Sequence, residues 1–229
     1  MDKFWDMLDP AERDALAEVA QPITYKSDRR IFREGEPSEF ALVLRSGWVK
    51  VAGLAEDGET VLALRRSGDL VGESASADRP RRATVVALGE VHALTISAHR
   101  FAGLLRDRPA AATALARTHW DRQAESDRKR MDVRNSNSDK RLARLFLELA
   151  EGAVETADGI VLDIPLTQAE FGQLICARTG IVERTLHNWR ERGIVSTMPR
   201  RHVIHDLARL SAIARNGGPP GGASSPHDG

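Results

Sequence analysis

Residues Leu166 to Leu186 read LTQAEFGQLICARTGIVERTL, and the architecture of the chain can be built outward from them. Thr167 with Glu170 three residues later is a capping box, in which a hydroxyl and a carboxylate satisfy amides that a first helical turn leaves unpaired. Phe171, Leu174 and Ile175 follow at the spacing of a buried helical stripe. Cys176-Ala177-Arg178 makes a turn, with Cys176 read as a small buried residue rather than a redox sensor. A second helix from about Thr179 to Arg192 then buries Val182, Leu186 and Trp189 and turns Gly180, Glu183, Arg184 and His187 outward. Two short helices joined this way make a unit whose second helix fits a major groove, N-terminal residues toward the base edges.

The flanks extend that reading. Ile164-Pro165 closes a short strand, and Ile194-Val195, Met198-Pro199-Arg200-Arg201 and His202-Val203-Ile204 read as a β-hairpin with a basic tip, a wing beside the helix pair. Between Arg178 and Arg201 stand six arginines (178, 184, 190, 192, 200 and 201) against Glu183 and Glu191, a local cationic excess that would attract phosphate. Hairpin arginines such as Arg200 and Arg201 commonly touch backbone rather than bases. The bland alternative is an αα-hairpin with solvated arginines, and the basic wing weighs against it.

Upstream, Asp9-Pro10-Ala11-Glu12 starts a short helix, with Leu16 and Val19 on one face. Brief β-type runs follow at Phe40–Leu44, Val49–Val51, Val61–Leu64, Thr84–Leu88 and Val91–Ile96, separated by Gly35, Gly47, Gly58, Gly68 and Gly72. Short strands with turns between them indicate an antiparallel sandwich or small barrel. Ser97 to Leu105 is helical, and Ala110 to about Val133 is one long helix without glycine or proline. The polar tract Arg134 to Asp139 precedes another helix, with Leu142, Leu145, Phe146 and Leu149 in register. The fold class is α+β, divided into residues 1–108, 109–136, 137–215 and a disordered tail at 216–229.

Composition bounds the function. Of 229 residues, 41% are hydrophobic and 29% charged, with 33 basic and 33 acidic side chains, so a globular chain is expected and bulk charge favours no partner. One cysteine excludes an internal disulfide and every multi-thiolate metal site. There is no membrane-length apolar run and no signal-like N-terminus, so a cytoplasmic location and no membrane contact are expected. A metal enzyme on the barrel would need clustered ligands, yet that region offers only His92. No catalytic or metal residues are assigned. A haem sensor would have to use His92, His119 or Cys176 as a lone ligand.

The order of parts resembles the cyclic AMP receptor protein family, the Crp/Fnr family of bacterial transcription regulators. It is carried by IFREGE at Ile31–Glu36, LRSGWVKV at Leu44–Val51, GDLVGE at Gly68–Glu73, PRRATVVAL at Pro80–Leu88 and the helix pair at Leu166–Leu186. The resemblance implies an N-terminal cyclic-nucleotide-binding-like β-barrel, a long dimerisation helix and a C-terminal winged helix-turn-helix. It implies a homodimer on a pseudo-palindromic duplex site, with RNA polymerase as a further partner.

For an effector, the resemblance implies cyclic AMP or a related nucleotide. Its phosphate would sit on the segment of Gly72, Glu73, Ser74, Ala75 and Arg81, with Glu73 on a ribose hydroxyl and the base near Ser126 and Asp127. Arg82 stands where a small hydroxyl is common, Ser74, Ser76 and Ala77 replace apolar anchors, and the loop is one residue short. An internal Glu73–Arg81 ion pair in a vestigial pocket is the competing reading. The resemblance also places Leu115, His119, Gln123, Ser126, Arg130 and Val133 on a dimer seam, unless the register is off by one. The duplex-facing set is Thr167, Arg178, Thr179, Gly180, Glu183, Arg184, His187, Arg200 and Arg201; Thr179-Gly180 replaces a common arginine-glutamate pair. A nucleotide-binding module acting through protein partners is the alternative function.

Overall fold

The structure is a computed structural model and describes residues 3–37, 39–56, 58–77, 79–198 and 201–216. The chain forms two compact units, Met1–Arg128 and Lys129–Gly229.

The first unit opens with α1 (Phe4–Met7) and α2 (Pro10–Val19). Asp9 caps α2 by accepting from the Glu12 amide at 2.9 Å, and Pro10 occupies the first helical position, where it has no amide to leave unpaired. Six strands form one sheet: β1 (Gln21–Tyr25), β2 (Arg30–Phe32), β3 (Phe40–Ala55), β4 (Gly58–Arg66), β5 (Leu70–Val71) and β6 (Thr84–Ser97). Its order is β1-β6-β3-β4, with β2 on β6 and β5 on β3.

The sequence suggested five brief strands where the structure has two long antiparallel ones flanked by shorter partners. Gly47 and Gly89 explain the difference. Both take positive φ (82° and 78°), and the β3–β6 register slips between Leu44 and Trp48, so the chain bends and continues pairing instead of ending. Alternation along β3 feeds two cores. Ala41 and Val43 pack with Phe4, Leu16, Phe101 and Ala114, while Leu42 and Leu44 pack with Phe32, Val49, Val85 and Val91.

A helix α3 (Ala98–Asp107), capped by Ser97, precedes α4 (Pro109–Asn135), two residues longer at its C-terminal end than the sequence suggested. Within the first unit α4 buries Ala111, Ala114 and Thr118, and the Thr118 hydroxyl returns to the Ala114 carbonyl at 2.9 Å.

The second unit holds the last two turns of α4, then α5 (Ser138–Ala150), β7 (Val154–Thr156), β8 (Gly159–Leu162), α6 (Gln168–Leu174), α7 (Thr179–Glu191), β9 (Val195–Met198), β10 (Arg201–Ile204) and α8 (Leu207–Asn216). The strands pair β7-β8-β10-β9, all antiparallel. Phe146, Phe171 and Trp189 form the centre of its core, with His202 packed tilted and edge-on at 5.6 Å and 5.2 Å from the two phenylalanine rings. Asn216 ends α8 and so does not belong to a tail; residues 217–229 lie outside the described residues.

Candidate DNA-binding face and effector cassette

The capping box forms as the sequence requires: the Thr167 amide donates to Glu170 at 2.8 Å and the Thr167 hydroxyl accepts from the Glu170 amide at 3.2 Å. Thr167 is exposed, but its hydroxyl also donates to Glu170 at 2.9 Å. The turn into α7 differs from expectation at Cys176. It is exposed rather than buried, because its φ of +52° turns the side chain away from the core that Ile175 and Leu174 enter.

Helix α7 follows Arg178, an extended N-cap residue with no side-chain cap bond, so no side chain masks the first amides. Val182, Thr185, Leu186 and Trp189 are buried, and Thr179, Gly180, Glu183, Arg184 and His187 are exposed. A Cβ at Gly180 would meet nothing within 4 Å, so packing does not demand glycine there. Arg184 Nε donates to the Gly180 carbonyl at 3.3 Å, holding the stem along the helix. Arg201 is exposed at the start of β10, opposite Met198; Arg200 lies outside the described residues. Arg190, counted among the six arginines but not placed in the duplex-facing set, joins α7 to the wing by donating to Thr197 Oγ1 at 2.9 Å.

In the first unit, Gly72 leads into a 3₁₀ turn at Glu73–Ala77. Its φ is +78°, and a Cβ there would be driven into Arg81 Nη1. Arg81 is 97% buried, since its relative exposure is 3%. It donates from Nη1 to the Gly72 carbonyl (3.0 Å) and from Nη2 to the Phe40 carbonyl (2.7 Å), its guanidinium carbon 4.0 Å from the Phe32 centroid and 4.7 Å from the Phe40 centroid. Burial lowers its pKa, opposed by Glu73, Glu36 and Glu39. The Ala75 amide also donates to the Gly72 carbonyl, at 3.1 Å.

The expected Glu73–Arg81 ion pair is not what forms. Glu73 pairs with Arg122 of α4, which also donates to the Leu70 carbonyl. Burial pushes the Glu73 carboxyl up, but the Arg122 charge and hydrogen bonds outweigh it and the pKa is lowered. A second ion pair, Arg65–Glu125 at 3.1 Å, also joins the sheet to α4. Ser74 is half-buried, Ala75 buried and Arg82 exposed. Ser126 is half-buried, and the exposed Asp127 accepts from Gln123 at 3.3 Å. His119, Gln123, Arg130 and Val133 are exposed, Leu115 half-buried, and the unflagged Trp120 is 79% exposed.

Two family descriptions match: the cyclic nucleotide-binding domain over residues 22–118 and the Crp-like helix-turn-helix domain over residues 140–213. A CRP-like cAMP-activated global transcriptional regulator of Mycobacterium tuberculosis is 28% identical over 212 residues, covering 91% of this chain and 94% of that protein. The global nitrogen regulator of a Nostoc species is 25% identical, covering 82% and 86%. The structure of FixK2 from Bradyrhizobium japonicum superimposes with a TM-score of 0.74 at 20% identity, over 85% of this chain and 96% of that one.

A nucleotide-binding-type β domain followed by a winged helix-turn-helix defines a class of DNA-binding transcription regulators. This chain belongs to the Crp/Fnr family of that class. It is a DNA-binding transcriptional regulator and not an enzyme. Among the described residues no helix is long and apolar enough to cross a membrane.

Proposed function

We propose that the protein acts in the cytoplasm as a homodimer joined along α4, placing α7 of each copy in the major groove of a pseudo-palindromic site and acting on RNA polymerase. The observation carrying the DNA reading is the exposed α7 face of Thr179, Gly180, Glu183, Arg184 and His187, flanked by Arg178 and the wing's Arg201. Arg184 reads guanine or phosphate and Glu183 accepts from cytosine. The α4 stripe of His119, Gln123, Arg130 and Val133 is open to solvent while Ala111, Ala114 and Thr118 face the sheet, which supports the seam register.

Cyclic AMP is what the M. tuberculosis relative responds to by its description, and the cassette of this chain can be tested against that ligand. A phosphate needs the Ala75 amide and the Arg81 guanidinium, and both donate to the Gly72 carbonyl instead. Glu73, the ribose ligand, is held by Arg122. The Ala75 amide and the two terminal nitrogens of Arg81 are thus engaged within the protein, while the buried Arg81 Nε has no hydrogen-bond partner among the described residues; that engagement supports DNA binding that does not wait for a nucleotide. Gel shift of a selected duplex with and without cyclic AMP or cyclic GMP tests both parts. Binding without nucleotide is expected, with little change on adding either. No salt-dependent shift at all would favour a module acting through protein partners.

A further inference from the structure

One guanidinium in the second unit touches two places that DNA reading needs to be rigid. Arg141, on the first turn of α5, donates to the carbonyl of Ser136, just beyond the end of α4, and to Ser138 Oγ at 3.3 Å. The same group donates from Nε to the Ile175 carbonyl at 2.8 Å and from Nη2 to the Cys176 carbonyl at 3.4 Å. Those two carbonyls belong to the turn between α6 and α7.

That turn contains Cys176 at φ +52°, a conformation that costs an L-residue about 1 kcal/mol or more and persists only where its surroundings hold it. Its own bonds, Cys176 N–H to Gln173 and Ala177 N–H to Gly172, fix the donors; Arg141 fixes the acceptors. Gly172 completes the fit, because a Cβ there would stand 2.6 Å from the Ala177 carbonyl oxygen. A parallel tie runs to the middle of α7, where the buried Thr185 donates to Asp139 of α5 at 2.6 Å. Recognition-helix placement therefore depends on two consecutive strides of α5, Asp139 and Arg141.

We infer that Arg141 is a positioning residue for DNA reading: it locks the helix-turn-helix turn so that α7 meets the groove preorganised. Lysine cannot replace it, since a single ammonium cannot reach carbonyls on both sides as the planar fork does. The inference rests on the DNA-binding reading for its consequence but not for its geometry, and the experiment separates the two.

Arg141→Lys, Arg141→Ala and a destabilised control, Ile213→Val on α8, are compared with the full-length wild type. Affinity is measured on a duplex recovered with wild-type protein from a randomised 30-base-pair pool and on a random duplex of equal length. Amide hydrogen exchange is followed across 172–178. Both Arg141 variants are expected to lose about tenfold or more on the selected duplex, less than about threefold on the random one, and to exchange faster at 175–177. The control keeps its selectivity and its turn protection. Full selectivity and unchanged exchange in Arg141→Lys would overturn the inference, as would equal losses on both duplexes with exchange raised throughout. If wild type bound no duplex, the DNA reading would fail while exchange at 175–177 still decided the clamp.

Discussion

Arg81 donates to the carbonyl of Gly72 over 3.0 Å, across a glycine whose φ of +78° leaves no room for a side chain. The backbone oxygen of the cassette's first residue thereby takes Arg81 Nη1 and the Ala75 amide, two of the donors the proposed ligand phosphate would use. Gly72→Ala would impose a strained backbone and push on the buried guanidinium together. Urea unfolding should show a loss of about 2 kcal/mol or more, and a loss under about 0.5 would mean that the Arg81–Gly72 contact is not the settled arrangement.

Removing Arg122 takes from the Glu73 carboxylate, 19% exposed, the guanidinium that pairs with it. Because stranding a desolvated charge costs more than deleting a pair, Arg122→Ala should destabilise by about 2 kcal/mol. Adding Glu73→Gln should restore part of that loss, read as a non-additive double-mutant cycle in chemical denaturation. Strict additivity would show the two groups to be uncoupled.

His202 sits in the aromatic core at 5% exposure, with neither ring nitrogen hydrogen-bonded, and burial pushes its pKa down to about 4 from 6.5. The folded form therefore refuses a proton that the unfolded chain accepts. Stability is full above pH 6.5 and declines as the pH falls toward 4, by about 3 kcal/mol over that window. His202→Phe should remove this part of the acid sensitivity, so its stability relative to wild type should grow between pH 7 and pH 4.5 in denaturant titrations. A constant difference would contradict it.

Much of this was legible locally. Thr167 with Glu170 specified a helix start, and Val182, Leu186 and Trp189 specified the buried side of the recognition helix, because both depend on neighbours within two turns. The two continuous strands were not legible, since Gly47 read as a stop and the runs Thr84–Leu88 and Val91–Ile96 as separate strands, whereas the chain bends at Gly47 and Gly89 and continues. Nor was the partner of Glu73, which lies 49 residues away on α4. Cys176 was misjudged because its exposure follows from a left-handed backbone, which its residue type does not announce.

The proposed function divides the labour of DNA contact between the exposed face of α7 and the wing. Arg184→Ala should relax sequence preference by about 1 to 3 kcal/mol per site position, whereas Arg201→Ala should weaken all duplexes alike and lower the salt slope by about one. Binding-site selection with each variant and titration at several salt concentrations distinguish these effects. Equal losses on cognate and random duplex for both would refute the division.

The most direct measurement is the affinity of the purified, nucleotide-free protein for a duplex selected from a random pool, repeated with saturating cyclic AMP and cyclic GMP. The account predicts a specific, salt-sensitive complex in the absence of nucleotide, shifted less than about tenfold by either. No complex without nucleotide and a large gain on adding one would contradict it.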